Sequence, residues 1–305
     1  MKEKLKGSAK ICIIISVGIM ALALILSLAG LGVNYGIDFA GGLAIKYQMN
    51  AVFDQADVEA ALRSQGIAEF QISKAGAAQT ELQIRIKEIS DEGVQVLRTG
   101  LEASLLDKYP QMDVHNAEVG YVGPVAGRTL IQNAFFSVLL ASVLMLGYIA
   151  IRFDFNSGVA AIVGLVHDVL IMLSFMVLFR SFIQMNSSFI AAMLTIVGYS
   201  INNTIVIFDR IRENTKRAEL NSVSRADLVT TSVKQCMGRT INTSLTTLIT
   251  IVALYIMGVN AIKEFALPII IGLLSGLYSA NLINGYLWAL LENIRPHKKV
   301  KPKKA

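Results

Sequence analysis

Six apolar stretches, at residues 11–33, 130–151, 157–179, 188–208, 241–258 and 265–290, run through this 305-residue sequence. A helix needs roughly 20 such residues to cross about 30 Å of hydrocarbon. Within lipid every backbone N–H and C=O must find its partner inside the spanning structure, which leaves helices as the form for stretches of this length. The sequence therefore predicts an α-helical polytopic membrane protein with six transmembrane helices. Charged residues make up 16% of the chain, against about 25% in soluble domains, and they are clumped between the stretches. The first stretch follows four lysines but is longer than the roughly 7–15-residue core of a signal peptide, so it reads as a retained anchor.

Lysine and arginine near span ends stay on the cytoplasmic side. With the N-terminus inside, eighteen basic residues fall on inside segments, while the short outside loops hold only Arg180 and Lys263. Both termini are then cytoplasmic, and residues 34–128 lie outside the cytoplasm. The expected division is residues 1–33 as N-terminus and first helix, 34–128 as an extracytoplasmic domain, 129–294 as helices two to six with a cytoplasmic loop at 209–240, and 295–305 as a basic cytoplasmic tail.

The segment 34–128 is long enough to bury a core of its own. Residues 43–49 alternate as a strand does, and Val58, Ala61 and Leu62 recur at helical spacing within 55–65. Short alternating strands at 70–74 and 82–86 flank a turn at 75–80. Ser90 opens a helix to 109, with Asp91 and Glu92 in its first turn and an apolar stripe of Val94, Leu97, Leu101 and Leu105. Pro110 stops it, and a last strand covers 112–122. This β-α-β-β-α-β order is the ferredoxin-like, split βαβ arrangement of an α+β domain.

Several functions are disfavoured. The net charge of +6 lies beside the spans and has a topological explanation, with no basic stripe interleaved with aromatics, so nucleic acid is not an expected partner. No GxxxxGK[ST], HExxH or serine elbow occurs, and Cys12 and Cys236 form no CxxC or metal spacing. Neither an enzyme, a cofactor nor a metal is expected. The basic tail reads as an anchor on anionic membrane lipid.

Ionisable and polar groups inside the spans are more informative, because a charge at the bilayer centre costs a few kcal/mol and faces a partner or a wet cavity. Asp168 reads as the one carboxylate well inside a span, beside His167; packing and ion coupling are both open to it. The fourth stretch carries Ser200, Asn202, Asn203 and Thr204, of which Ser200, Asn203 and Thr204 share a face. The fifth opens with Arg239 and continues through Asn242, Thr243, Thr246, Thr247 and Thr250. Interhelical hydrogen bonds at about 0.6 kcal/mol each would explain some of these, but their density favours a hydrated path. Gly272 and Gly276, with Ser275 and Ser279 beside them, read as a close-packing face. Gly36-Ile37-Asp38-Phe39-Ala40-Gly41-Gly42 reads as a turn, with no base or nucleophile near Asp38.

Taken in order, these pieces resemble the SecF family over nearly the whole chain. Gly36, Asp38, Gly41 and Gly42 match its GIDFxGG signature, and Val122-Gly123-Pro124 lies where the family re-enters the membrane. Arg152-Phe153, His167-Asp168-Val169, Gly198–Asn202, Asp209-Arg210-Ile211-Arg212-Glu213 and Arg239–Ser244 match later motifs. The resemblance implies a partner, SecD, in a twelve-helix assembly similar to RND-superfamily transporters. It also implies association with the SecYEG channel and YajC, and use of a proton or sodium gradient to help draw unfolded polypeptides across the membrane. One position departs: the family reads Tyr-Ser-Ile-Asn-Asp where this chain has Asn203, which cannot carry a proton. Either a carboxylate of the partner carries the cycle with Arg239, or Asp168 shares the duty, or the ion is sodium; the first is preferred.

Overall fold

The computed structural model describes residues 2–68, 70–75, 80–86, 89–181, 183–218, 224–258 and 260–294. Two compact units emerge. The smaller comprises Tyr35–Phe136 with Met185–Ser187.

The chain begins with helix α1 (Lys2–Leu28), followed in the smaller unit by a single turn, α2 (Ile37–Ala40). Then come β1 (Gly42–Gln48), α3 (Gln55–Ser64), β2 (Phe70–Ala75), β3 (Glu81–Ile86), α4 (Asp91–Lys108) and β4 (Asp113–Val122). The sheet order is β2-β3-β1-β4, and every neighbouring pair is antiparallel. Each helix connects two strands separated in the sheet by a third, as a split βαβ topology requires. Leu43, Ile45 and Tyr47 of β1 face one core with Leu82, Ile84 and Ile86 of β3, because strand side chains alternate with period two. Val58, Ala61 and Leu62 of α3 and the predicted stripe of α4 close that core. Ser90 caps α4, its Oγ accepting from the Gly93 N–H. The polar tip of Tyr47 reaches Glu102, donating at 3.0 Å. Burial, and then the Glu102 charge, push its phenol well above the ordinary tyrosine range. Most of the turn expected at 75–80, and the basic tail, lie outside the described residues.

The larger unit contains α1, the C-terminal part of α5 (Pro124–Arg152), then α6 (Phe155–Leu178), α7 (Ser187–Ala218), α8 (Arg225–Met257) and α9 (Asn260–Tyr278). A π-helical turn, Ser279–Asn284, joins α9 to α10 (Gly285–Ile294). Among the described residues, six helical segments are long and apolar enough to cross a membrane. Each overlaps one of the six predicted stretches, the last running through α9, the π turn and α10 as one span. α1 packs on α6, α6 on α9, and α9 on α8. Glycine sets the closeness: a Cβ at Gly272 would sit 2.5 Å from Ile196, and one at Gly164 would sit 2.2 Å from Asn284.

The stretch 209–240, expected as a loop, is helical on both sides of 219–223. α7 continues to Ala218, and Ser224 caps α8 by accepting from the Asp227 N–H. The reason is amphipathicity: Leu228, Val229 and Val233 bury against the same core as Ile207, Phe208 and Ile211. Cys236, read as a loop residue, is a buried position on α8.

Candidate functional site

Asp168 lies within the apolar helix α6, and its side chain is 0% exposed and fully engaged. Ser275 donates to Oδ1 at 2.7 Å, and Ser200 and Ser279 donate to Oδ2 at 2.5 and 2.9 Å. His167 Nδ1 lies 2.9 Å from Oδ1. Three elements beyond α6 thus converge on one carboxylate. The π turn makes this possible: an extra residue per turn re-aims the last span, so that Ser279, Asn281 and Asn284 all point into the bundle. Asn281 accepts from Thr240 at 3.1 Å, and Asn284 donates to Thr204 at 2.9 Å. From His167 Nε2 the network continues to Tyr278 Oη at 3.2 Å and on to Ser16 Oγ at 2.9 Å.

The polar face predicted on the fourth span is buried, and each member contacts a different element. Ser200 reaches α6, Asn203 donates to Ser244 of α8 at 3.3 Å, and Thr204 accepts from Asn284. These are direct side-chain bonds. Asp168 is not the sole buried carboxylate. Glu292 on α10 is buried and accepts from Asn156 at 2.6 Å. It lies two residues beyond the stretch that hydropathy delimited.

The α8 stripe behaves differently. Arg239, Asn242, Thr243, Thr246 and Thr250 are exposed on the surface of this chain. Thr246 and Thr250 satisfy their hydroxyls only on their own helix, at 2.9 Å to Thr243 O and 3.1 Å to Thr246 O. Arg239 makes no hydrogen bond or ion pair among the described residues. It borders a cavity of about 530 Å³ that Arg152, Asn202, Asp209 and Arg210 also line. There Arg152 lies 3.7 Å from Asp209, and Arg210 pairs with Glu213 and donates to Gln235 at 2.6 Å. The structure therefore brings Arg239 and Asn202 together but separates both from Asp168. No group of three or more His, Cys, Asp or Glu side chains suited to a metal occurs among the described residues.

The glycine-rich turn has a mechanical explanation. Gly41 and Gly42 adopt φ of 74° and 112°, which side chains rarely tolerate. A Cβ on Gly127 would stand 3.0 Å from the Phe39 carbonyl. Asp38 accepts from the Ser187 N–H at 2.8 Å, a bond within the smaller unit. Gly36 N–H donates to Met185 O at 2.8 Å beside a backbone bridge between Tyr35 and Met185.

Ser275, Ser279, Tyr278, Ser16, Asn281 and Asn284 were not among the expected site residues. The signal available was the i, i+4 pair Ser275/Ser279, which also fits plain helix packing.

Six apolar helices, an internal polar network and a small α+β unit define a polytopic membrane protein. The pattern described as "Protein export membrane protein SecD/SecF, C-terminal" matches residues 102–294, and the "SecD/SecF GG Motif" matches 26–49. Protein translocase subunit SecF of Calditerrivibrio nitroreducens is 34% identical over 289 residues, covering 95% of this chain and 94% of the relative. That of Rickettsia felis is 33% identical over 267 residues, covering 88% and 85%. The crystal structure of SecDF, a translocon-associated membrane protein from Thermus thermophilus, superposes with a TM-score of 0.81 at 34% identity over 94% of this chain. A second SecDF structure, in a super-membrane-facing form, gives a TM-score of 0.66 over 95% of this chain. The chain spans 38% of the length of the first SecDF chain and 39% of the second. The chain belongs to the SecF family of protein-export membrane proteins.

Proposed function

We propose that this chain acts with a SecD-type partner to convert an ion gradient into late-stage movement of exported, unfolded polypeptides. The observation that carries this reading is the exposed stripe from Arg239 to Thr250. A permanent cation facing acyl chains costs at least about 3 kcal/mol, so the stripe calls for a cover that is polar or wet. The matched SecDF chains extend well beyond the length of this one, and a SecD-type subunit supplies such a cover. A carboxylate of that partner would alternate between pairing with Arg239 and binding a proton or sodium ion. The membrane field supplies about 2.3 kcal/mol per charge per 100 mV. Asn202, Thr243 and Thr246 would line the same contact, while Asn203 contributes an amide and no proton. Asp209 and Arg210 would shape the cavity at its end.

The bias of basic residues supports cytoplasmic termini and an extracytoplasmic location for 34–128. The family supports SecYEG and YajC as further partners. The test is Arg239→Met in a complex that still assembles. Gradient-dependent stimulation of export is expected to vanish, and unchanged stimulation refutes ion coupling through Arg239.

A specific observation favours a second reading. Asn203 is spent on a structural bond to Ser244, as a scaffold that stabilises the partner without its own ion cycle would have it. Asn203→Asp separates the two: a gain in gradient dependence supports coupling, and no change supports the scaffold. The third alternative, half of an RND-type small-molecule transporter, would show as drug efflux in the intact complex.

A further inference from the structure

The network around Asp168 has a feature that packing alone does not require: it is continuous through groups that both give and take a proton. Ser16 Oγ lies 2.9 Å from Tyr278 Oη, which lies 3.2 Å from His167 Nε2, and His167 Nδ1 lies 2.9 Å from Asp168 Oδ1. The rings of Tyr278 and His167 meet edge to face at 90°, with centroids 5.5 Å apart. Three serines also donate to this carboxylate, Ser275 to Oδ1 and Ser200 and Ser279 to Oδ2. We propose that Ser16, Tyr278 and His167 form a proton relay to Asp168, making this carboxylate a protonation site held wholly within this chain and separate from the Arg239 stripe. The proposal rests on the ion-coupled reading above and gives it a second, internal site whose ion is the proton.

Because an ionised carboxylate only accepts, Nδ1 carries the hydrogen that faces it, and Nε2 then accepts from Tyr278. A proton reaching Tyr278 Oη displaces the phenolic hydrogen onto Nε2. The Nδ1 hydrogen moves in turn to Oδ1. Tyrosine ends neutral, histidine ends as the other neutral tautomer, and Asp168 ends as the acid, so that one proton in total has been taken up. Neutral Asp168 loses the charge that strengthens the bonds from Ser200, Ser275 and Ser279. Those bonds tie α7, α9 and the π turn to α6, so protonation is coupled to the packing of the bundle.

The groups facing the pair are Ser200 from α7, Ser275, Tyr278 and Ser279 from the last span, and Ser16 from α1. Cys12 lies one turn before Ser16 on α1 and close enough to act electrostatically on Tyr278. None of these side chains is a cation. Among the described residues, Asp168 has no ion-pair partner other than His167.

The experiment is infrared difference spectroscopy on the full chain with its partner in lipid, after a jump to acidic pH in sodium-free buffer. A carboxylic acid C=O band should appear in the wild type and be absent in Asp168→Asn. Tyr278→Phe removes one hydroxyl and keeps the ring, and it should slow the rise of that band on the order of 100-fold, the scale of a lost positioned proton carrier. If Asp168→Asn fails to fold, Ser279→Ala supplies the assignment, since losing one donor shifts the frequency of this carboxyl alone. No band at acidic pH, a band insensitive to both variants, a band suppressed by sodium at constant pH, or an unchanged rate in Tyr278→Phe each overturns the relay. The band is expected to persist in Arg239→Met, so failure of partner coupling at Arg239 leaves this readout standing.

Discussion

Two polar stripes on neighbouring helices of one bundle meet opposite fates. On α7, Ser200, Asn203 and Thr204 are each about 2% exposed and each is bonded to another element of the same chain. On α8, Arg239, Thr243, Thr246 and Thr250 are exposed, and Thr246 and Thr250 bond to carbonyls of their own helix. In water the contrast would mean little. Beside hydrocarbon it separates two kinds of polarity, one serving the chain's own packing and the other requiring something outside it.

The strongest way to break the comparison is to remove the acceptor at the centre of the internal network. Asp168→Ala leaves three serines and a histidine without their shared partner. Unsatisfied buried groups cost about 1–3 kcal/mol each, and serine can fall back on its own helix. A net loss of about 3 kcal/mol is expected in denaturant unfolding of the full chain in detergent. A loss below about 0.5 kcal/mol would show the network to be slack.

Smaller and more discriminating is the paired test of the stripes. Asn203→Ala and Ser200→Ala should each lower the stability of the chain alone by about 0.6 kcal/mol, the usual worth of an interhelical hydrogen bond in a membrane. Thr243→Ala and Thr246→Ala should leave that stability unchanged and instead weaken association with the partner, read as the fraction of complex surviving dilution in detergent. The reverse pattern would mean that the two stripes have been assigned to the wrong sides.

How much of this was readable beforehand follows from where each signal lives. Hydropathy is local, so all six spans were legible, and strand alternation with a capped α4 was enough for the βαββαβ order. Asp168 was legible because a carboxylate in an apolar run is expensive wherever it points. Its partners were not. Ser275 and Ser279 are ordinary packing residues in any sequence pattern, and only the π turn, which shifts the helical phase by one residue, aims Ser279, Asn281 and Asn284 inward together. Glu292 was missed because a hydropathy window ends where charges begin, whereas the helix does not. The bond from the Ser187 N–H to Asp38 joins residues 149 apart in sequence, a distance over which no periodicity speaks. The direction of the α8 stripe is set by packing against α9, which spacing alone does not specify.

The smallest effect is expected where water competes, and it serves as the aqueous control for the membrane-embedded bonds. In the small unit, Lys108 Nζ donates to Asp57 at 2.7 Å, and the Tyr109 hydroxyl donates to the other oxygen at 2.7 Å. The hydrogen bond from Lys108, and next that from Tyr109, hold the Asp57 carboxyl below the usual carboxylate range. A carboxylate whose folded value is depressed stabilises the fold above its unfolded value, near pH 3.9 or so, and loses that contribution as pH falls through the lower folded value. Asp57→Asn should therefore flatten the acid limb of the unfolding profile below about pH 4 and leave the neutral region nearly unmoved, since exposed pairs contribute little. High salt should shrink the wild-type effect further, because ions screen an exposed pair. The Ser200 and Asn203 bonds, out of reach of ions, should not respond. If salt weakened both alike, the bundle interior would be wet, and the distinction between a satisfied internal stripe and an uncovered outer one would lose its basis.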